Sequence, residues 1–323
     1  MDRRLVVATA GLVTLALSLG LGLGTSAHAQ ALADRGPPAR RLVHRQLVAL
    51  RSNALGLIYD GRLSYRFRLH ENESLALRDN FVGGGAAVML TPAYLRVGPY
   101  VEVAPASFAT VWGSLQYARY FGNLGILQSF ATPRAELSDD ELDRRADLPG
   151  GDPLANYATS GLELTLGLDL QAKLGPVAVR SQSRLIRADL DLRDGDRVFY
   201  DQTTDLLMPD AGLSFVTDFD VAYLALEGRL VIGARYSAAI PFYDADSYLP
   251  GEPAEHDNAS HRLGPVLAYS FYSRDGAAFN MPTIILVTQW WLDHRYRAGA
   301  ESSQAWPMIA LAFRVQGDLF SID

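Results

Sequence analysis

The stretch from Gly161 to Leu174 reads Gly-Leu-Glu-Leu-Thr-Leu-Gly-Leu-Asp-Leu-Gln-Ala-Lys-Leu, with apolar residues at the even positions and polar residues or glycine at the odd ones. In an extended strand successive side chains point to opposite faces, so this alternation separates the leucines from the polar groups. A helix would spread the leucines around its whole circumference. The stretch therefore predicts a β-strand whose two faces meet different environments.

The same alternation recurs in residues 54–69, 229–242 and 309–319. Strands of soluble sandwiches usually stop at about five or six residues, whereas a strand that crosses a bilayer at a tilt needs about 9 to 11. The polar faces mix arginine, carboxylates, glycine and serine, a composition that suits a polar lumen. Because an open sheet edge in lipid would leave backbone amides unpaired, the sequence predicts an all-β fold, a closed antiparallel transmembrane β-barrel.

We expect ten strands in an up-and-down meander, at 54–69, 94–104, 108–121, 160–174, 177–193, 212–226, 228–243, 262–273, 281–297 and 305–320. Long and short joins would then alternate, as in barrels with short periplasmic turns and longer outer loops, and an even count returns both ends to one side. A twelve-strand alternative stays open. It counts the glycine-rich stretch 81–91 and residues 197–207 as strands, but it loses the alternation of joins.

The residues before the first of these strands divide into an export signal and a leader. An apolar run over 5–23 follows two arginines, and Ala27-His28-Ala29 has the small-x-small pattern that a signal peptidase reads. We expect a signal peptide at 1–29 that is cleaved, with a retained membrane anchor as the alternative. Residues 30–53 would form a periplasmic segment, with a short amphipathic helix or a loosely ordered leader at 39–50, and the barrel would occupy 54–323.

The composition excludes several classes of protein. The 323 residues contain no cysteine and have a formal net charge of −7, and the mean hydropathy is +0.03. The absence of cysteine excludes a disulfide framework, and the low hydropathy excludes a helical membrane bundle. The acidic balance gives no reason to expect a nucleic-acid partner.

With these features the chain resembles the outer-membrane β-barrel proteins of Gram-negative bacteria. The features are the signal peptide, the lack of cysteine, the long alternating strands and aromatic residues near strand ends, namely Tyr59, Tyr120, Phe121, Trp290, Trp291 and Trp306. The resemblance names no subfamily. It implies an outer-membrane location, contact with outer-membrane lipid and lipopolysaccharide, and insertion by the barrel-assembly machinery, and we expect a monomer.

Charged residues on the polar faces are the candidate functional residues. Those predicted to line the lumen are Arg62, Arg66, Arg68, Arg96, Glu102, Glu163, Asp169, Lys173, Arg180, Arg184, Arg229, Arg235, Arg314 and Asp318. A small barrel is nearly filled by its own side chains, so these charges could pair and plug the lumen. Alternatively they could line a narrow pore that favours anionic solutes. We expect a structural protein or a narrow passive conduit for small, possibly anionic, solutes.

The sequence shows no recognisable catalytic constellation. Outer-membrane lipid hydrolases resemble barrels of this size, and they need a His and a Ser two residues apart on one face of a strand. No such pair is formed by any of His44, His70, His256, His261 and His294. In barrels similar to the ten-stranded surface proteases, the site contains a carboxylate pair opposite an Asp-x-His unit. The pairs Asp218 with Asp220 and Asp189 with Asp191 are available, but the Asp-x-His unit is not. We expect no enzyme, with a lipid or peptide hydrolase and a surface adhesin or binder using long loops as alternatives.

Two loop segments contain possible metal ligands. His256 and Asp257 lie near His261, and several aspartates lie between 194 and 205. Because Asp, Asn and Gly are also common in solvated turns for backbone reasons, we expect no metal and no other cofactor. The acidic stretch 136–147 is predicted to be a mobile outer loop.

Overall fold

The computed structural model describes residues 37–254, 258–299 and 306–322, in which twelve antiparallel strands close into a barrel. The barrel strands are β1 (Arg40–Ser52), β2 (Gly56–Arg68), β3 (Phe81–Leu90), β4 (Tyr94–Ala106), β5 (Ala109–Phe121), β7 (Ala158–Leu174), β8 (Val177–Leu190), β11 (Leu213–Ala225), β12 (Leu230–Phe242), β13 (Ser260–Ser270), β14 (Asn280–Asp293) and β15 (Met308–Ile322). Each strand pairs with the next barrel strand along the chain, and β15 pairs with β1 to close the sheet. The signal peptide expected at 1–29 lies outside the described residues.

The faces of β7 are arranged as the alternation predicts. Its leucines at 162, 164, 166, 168 and 170 are each 40–52% exposed on the outer surface. Glu163 and Thr165, which alternate with them, are 6% and 5% exposed on the inner side. An apolar outer face and a polar inner face are the arrangement that lipid outside and water inside favour.

The strand count corrects the ten-strand expectation in favour of twelve. The glycine-rich stretch 81–91 does contain a wall strand, β3. Residues 197–207, the other strand of the twelve-strand alternative, form short strands outside the wall. The twelfth wall strand is β1, which replaces the helix expected at 39–50, so the barrel begins at Arg40 instead of residue 54.

The joins define two ends of the barrel. At the end where β1 begins and β15 ends, here called the base, the joins are 69–80, 107–108, 175–176, 226–229 and 271–279. At the opposite end, the top, they are 53–55, 91–93, 122–157, 191–212, 243–259 and 294–307. The four longest joins lie at the top. The top also has the short joins 53–55 and 91–93, and the base has the longer joins 69–80 and 271–279, so the expected strict alternation of long and short joins was wrong.

The top loops fold into a cap over the lumen. Strands β6 (Ser129–Phe130), β9 (Val198–Asp201) and β10 (Leu206–Pro209) form a separate three-stranded antiparallel sheet. Helix α1 (Asp139–Ala146) begins after Ser138, whose side chain accepts a hydrogen bond from the Glu141 amide. The mobile loop expected at 136–147 is therefore largely a capped helix, because this N-cap and a buried Leu142 fix it. Short 3₁₀ helices occur at Leu226–Gly228 and Ala245–Ser247.

Apolar packing holds the cap against the barrel wall. One cluster joins Tyr94, Tyr120 and Ala188 of the wall to Phe199 and Met208 of the cap. A second cluster lies within the cap and contains Phe130, Leu137, Leu142, Val198, Tyr200 and Leu207. All eight residues of β9 and β10 are buried. The cap is therefore a packed element held against the top of the barrel wall.

No described helix is long and apolar enough to span a membrane.

Candidate functional site

The lumen is the candidate site, and the structure places most of the predicted lining residues on its inner face. On the inner face of the wall lie Arg62, Arg66, Arg96, Glu102, Glu163, Asp169, Arg180, Arg184, Arg235, Arg314 and Asp318. The other three predicted residues lie at the base. Arg68 bonds there to the Pro37 carbonyl and to Glu71, while Lys173 and Arg229 are exposed to solvent.

Many of the inner charges pair across neighbouring or nearby strands. Arg66 donates two hydrogen bonds to the Glu102 carboxylate, at 2.7 and 3.0 Å, and Tyr100 donates a third at 3.1 Å. Arg235 binds Asp220 in the same two-point manner, at 2.6 and 2.8 Å. Such paired guanidinium and carboxylate groups are the stronger class of hydrogen bond, and they stiffen the inner wall.

Arg96 connects the wall to the cap. Its guanidinium lies 2.7 Å from Glu163 on β7 and 3.3 Å from Asp201 at the end of β9, and it donates to the Tyr120 hydroxyl at 2.9 Å. Arg96, Glu163 and Asp201 are each about 6% exposed. Because one cation faces two buried carboxylates, removal of Arg96 would leave uncompensated charge at the junction of wall and cap.

The tip of the β9–β10 hairpin enters the top of the lumen and bonds to wall strands. Arg51 at the end of β1 donates to the carbonyls of Gln202 and Thr203, the latter at 2.8 Å. The Thr203 hydroxyl lies 3.0 Å from the Tyr94 hydroxyl of β4. The cap is therefore attached to the wall by hydrogen bonds as well as by apolar packing.

A buried charged group, here called the Asp205 cluster, contains Asp205, His294, Arg297 and Asp139. Arg297 donates to the Asp205 carboxylate and to Asp139 of α1, the latter at 2.7 Å. His294 donates from Nε2 to the Asp205 carbonyl at 2.9 Å. Burial alone would raise the pKa of Asp205, but the charge of Arg297 and the hydrogen bonds that Arg297 and Tyr200 donate outweigh it and lower that pKa. The Asp205 cluster thus joins the hairpin tip, α1 and the loop after β14.

Below the cap the lumen contains two cavities separated by a stack of side chains. The guanidinium of Arg62 lies 4.4 Å from the ring centre of Trp112 and 5.0 Å from that of Tyr100. A cavity of about 260 Å³ extends from this stack to the base. A smaller one of about 60 Å³ lies on the cap side and reaches Asp201 and Thr203. Arg62 and Tyr100 line both, so the stack forms the partition between them.

The larger cavity is lined by an excess of arginine. Its charged lining residues are Arg45, Arg62, Arg66, Arg180, Asp79, Glu102 and Asp169. Arg66 and Glu102 neutralise one another, as described above. Arg45 is absent from the predicted lining because residues 39–50 were expected to form a helix. In the structure, Arg45 lies on β1 opposite Arg62 of β2.

The histidines and aspartates weighed for catalysis are separated from one another. His44 bonds the Ala278 carbonyl, His261 lies 2.7 Å from the Tyr236 hydroxyl, and His70 lies beside Asn80. Asp218 accepts from Ser237, and Asp220 pairs with Arg235. Among the described histidines, only His294 has an aspartate carboxylate within 4 Å of its ring nitrogens, that of Asp205 at 3.6 Å. His256 lies outside the described residues.

Within residues 37–254, 258–299 and 306–322, no three His, Cys, Asp or Glu side chains are placed to hold a metal ion. Asp201 and Asp205, from the aspartate-rich segment, bind cap and wall groups instead. His256 and Asp257, from the other candidate segment, are not described.

No family model matches the chain, and no curated protein matches it. Among solved structures, it is similar to the β domain of the Bordetella autotransporter BrkA, with 12% identity, 86% of this chain and 99% of that chain covered, and a TM-score of 0.42. OccAB1 of Acinetobacter baumannii matches with 7% identity, coverage of 87% and 96%, and a TM-score of 0.39. The translocator domain of the autotransporter NalP from Neisseria meningitidis matches with 12% identity, coverage of 90% and 91%, and a TM-score of 0.36.

The fold is that of an outer-membrane β-barrel. That description rests on the closed sheet, the apolar outer face and the polar lumen of this chain, and the resemblance expected from the sequence is confirmed at this level, with no subfamily resolved. The similarity to the solved barrels concerns general architecture alone.

Proposed function

We propose that the protein is a monomeric outer-membrane barrel that acts as a narrow conduit for small anionic solutes and is held closed by its cap. The observation behind this proposal is the cavity of about 260 Å³ at the base, which has arginines on its wall. Rings of positively charged side chains favour anions in pores. Outer-membrane barrels have their chain ends on the periplasmic side, so solutes would enter this cavity from the periplasm.

The cap provides the closed state in this proposal. Its hairpin is anchored by Arg51 and Arg96 of the wall, and Arg297 joins the hairpin tip to α1. A solute could pass the top only if these contacts opened or the hairpin moved. We therefore expect the wild-type barrel to be closed for most of the time.

Conductance across planar lipid bilayers tests the conduit. The test variant is the double substitution Asp205→Ala with Arg297→Ala, which removes both charges so that neither is left alone in the buried site. We expect rare openings in the wild type, frequent openings in the double variant, and a reversal potential in a salt gradient that shows preference for anions. Arg144→Ala, at an ion pair on the exposed side of α1, is the matched control and should behave as the wild type.

Silence at all voltages from a folded double variant would overturn the proposal, as would openings that favour cations. Resistance of the detergent-solubilised barrel to unfolding at moderate temperature checks that the variant is folded.

The proposal includes a cleaved signal peptide, assembly by the barrel-assembly machinery, contact with lipid and lipopolysaccharide, and no enzymatic activity or cofactor. A surface binder would extend its long loops into the medium. In the described part of this chain, those loops are instead folded together in the cap. A lipid-release assay on the same preparation tests the hydrolase alternative.

A further inference from the structure

Three arginines on the inner face of the wall interact electrostatically and form a group here called the guanidinium cluster, namely Arg45 on β1, Arg180 on β8 and Arg314 on β15. Strands β1 and β15 are neighbours, whereas β8 lies six strands from β1 in either direction around the barrel. The side chain of Arg314 is close enough to Arg180 and Arg45 to interact electrostatically with both, and Arg45 also interacts with Arg180. The cluster therefore bridges opposite walls.

In the described part of the chain, no carboxylate lies within 4 Å of any of these three guanidinium groups. Other lumen arginines differ in this respect, since Arg66, Arg96 and Arg235 each have a carboxylate within 2.7 Å. Nε of Arg314 is buried and has no hydrogen-bond partner among the described atoms. The lumen therefore pairs some of its arginines with carboxylates and leaves these three without an ion-pair partner among the described residues.

The nearby carboxylates form no ion pair with the cluster. Asp169, which lines the same cavity, and Asp220 both attract Arg180, but neither lies within 4 Å of its guanidinium group, and Asp220 is bound by Arg235. Like charges repel one another more strongly in the reduced dielectric of a protein interior than in water. Holding three guanidinium groups together therefore raises the free energy of the barrel unless an anion joins them.

The cavity limits the size of that anion. Arg45 and Arg180 line the cavity of about 260 Å³, which is open toward the base, and Arg314 lies beside them. Pockets for drug-sized ligands span about 300 to 1,000 Å³, so this one suits a smaller molecule. The planar guanidinium group matches phosphate and carboxylate oxygens in a two-point manner, and three such groups favour an anion with more than one negative charge.

We propose that the guanidinium cluster is a binding site for a small divalent oxyanion of the phosphate class, reached from the base of the barrel. This inference rests on the proposed function and names the class of solute. Free phosphate and the phosphate of a lipid headgroup share this chemistry. The site lies inside the wall and below the partition of Arg62, Tyr100 and Trp112, a position that favours the free ion.

Isothermal titration calorimetry of the mature protein with inorganic phosphate tests the site, in a zwitterionic detergent at constant ionic strength. We expect saturable binding to the wild type and at least about tenfold weaker binding to Arg180→Gln and to Arg314→Gln. Arg229→Gln is the matched control, because Arg229 is an exposed arginine at the base. Phosphate should also raise the melting temperature of the wild type and of this control but not of the cluster variants, since a ligand stabilises only the state that it binds.

Removal of one cluster arginine relieves repulsion, so both variants should fold at least as stably as the wild type without phosphate. Equal phosphate affinity in the wild type and the cluster variants would overturn the proposal, and so would a heat signal that chloride reproduces. If an anionic lipid headgroup fills the site, phosphate binding should be lost in phosphatidylglycerol nanodiscs but kept in phosphatidylcholine nanodiscs. That result would also overturn the proposal of a site for the free ion.

The two proposals fail separately. Phosphate binding without conductance would remove the conduit and keep the site, whereas anion conductance without binding would remove the site alone.

Discussion

At the scale of single residues, burial and the hydrogen bond accepted by Nδ1 favour the neutral form of His294. Nδ1 accepts from the Tyr296 amide at 3.1 Å, and Nε2 donates to the Asp205 carbonyl at 2.9 Å. A second proton would place a donor on Nδ1 against the amide hydrogen of Tyr296. Burial lowers the pKa of His294, and the nearby charges of Arg297 and Arg262 lower it further, although Asp205 opposes this effect.

We predict that acid loosens the cap through His294. Because the pKa of the folded form is below the ordinary value of 6.5, the unfolded cap binds more protons near and below that pH. The stabilisation is then complete above pH 6.5 and is lost as the pH falls toward the folded-state pKa. Hydrogen exchange of cap amides at pH 7.5 and 5.5, corrected for the intrinsic pH dependence of amide exchange, should show lower protection factors at the lower pH.

Two substitutions separate this effect from general acid sensitivity. His294→Gln keeps a donor and an acceptor without a titrating ring, so it should remove most of the difference between the two pH values. His70→Gln, at an exposed histidine beside Asn80 in a base loop at the opposite end of the barrel, should keep it. The prediction is contradicted if both variants respond to pH as the wild type does.

The alternation of residues predicts which side chains face inward but not which of them meet. It placed Arg180 and Arg314 in the lumen, but their proximity follows from closure of the sheet, which brings β8 opposite β1 and β15. The pairing of Arg66 with Glu102 likewise depends on the register of β2, β3 and β4. The Asp205 cluster could not be predicted, because loop residues have no periodic pattern that fixes their positions.

At the scale of secondary-structure elements, β3 shows why glycine is needed in a wall strand. A Cβ atom added at Gly85 would lie 1.9 Å from the Leu63 carbonyl oxygen of β2. At the adjacent Gly84, the nearest atom to such a Cβ would be the Tyr100 carbonyl oxygen at 3.7 Å, an ordinary contact. The two glycines therefore offer a matched comparison within one strand.

We predict that Gly85→Ala destabilises the barrel by roughly 1 to 3 kcal/mol, because the backbones of β2 and β3 must separate to admit the methyl group. Gly84→Ala should leave the free energy of unfolding nearly unchanged. Urea unfolding of the refolded barrel, followed by tryptophan fluorescence, measures both. Equal stability of the two variants would mean that β2 and β3 adapt to the added methyl group.

The two wall strands left out of the ten-strand prediction both have weakened alternation, although 81–91 was a strand in the twelve-strand alternative. In β1 the inner face includes the apolar Val43 and Leu47, and the outer face includes the polar His44 and Gln46, so the pattern looked helical. In β3 the run Gly83-Gly84-Gly85 has no side chains to alternate. By contrast, strands such as β7, with leucine at nearly every second position, were placed within about two residues of their observed ends.

At the scale of the whole molecule, closure depends on β1. Its residues from Arg40 to Ser52 pair with β15 on one side, and Arg40 to Arg51 pair with β2 on the other. Without β1, the facing edges of β15 and β2 would expose unpaired amides in a membrane, where each unsatisfied group costs several kcal/mol. A ten-strand barrel from residue 54 onward would omit both β1 and β3. The ten-strand and twelve-strand barrels therefore differ in whether residues 40–52 are needed for closure.

We predict that deletion of residues 40–52 abolishes insertion into liposomes and the resistance of the barrel to unfolding in detergent on mild heating. Deletion of 72–75, in a base loop outside the wall strands, is the matched control and should leave both properties intact, because every strand pair remains. The measurements are protease protection in liposomes and electrophoretic mobility before and after heating. If the protein without residues 40–52 inserts and resists heat as the control does, β15 can find another partner and β1 is dispensable for closure.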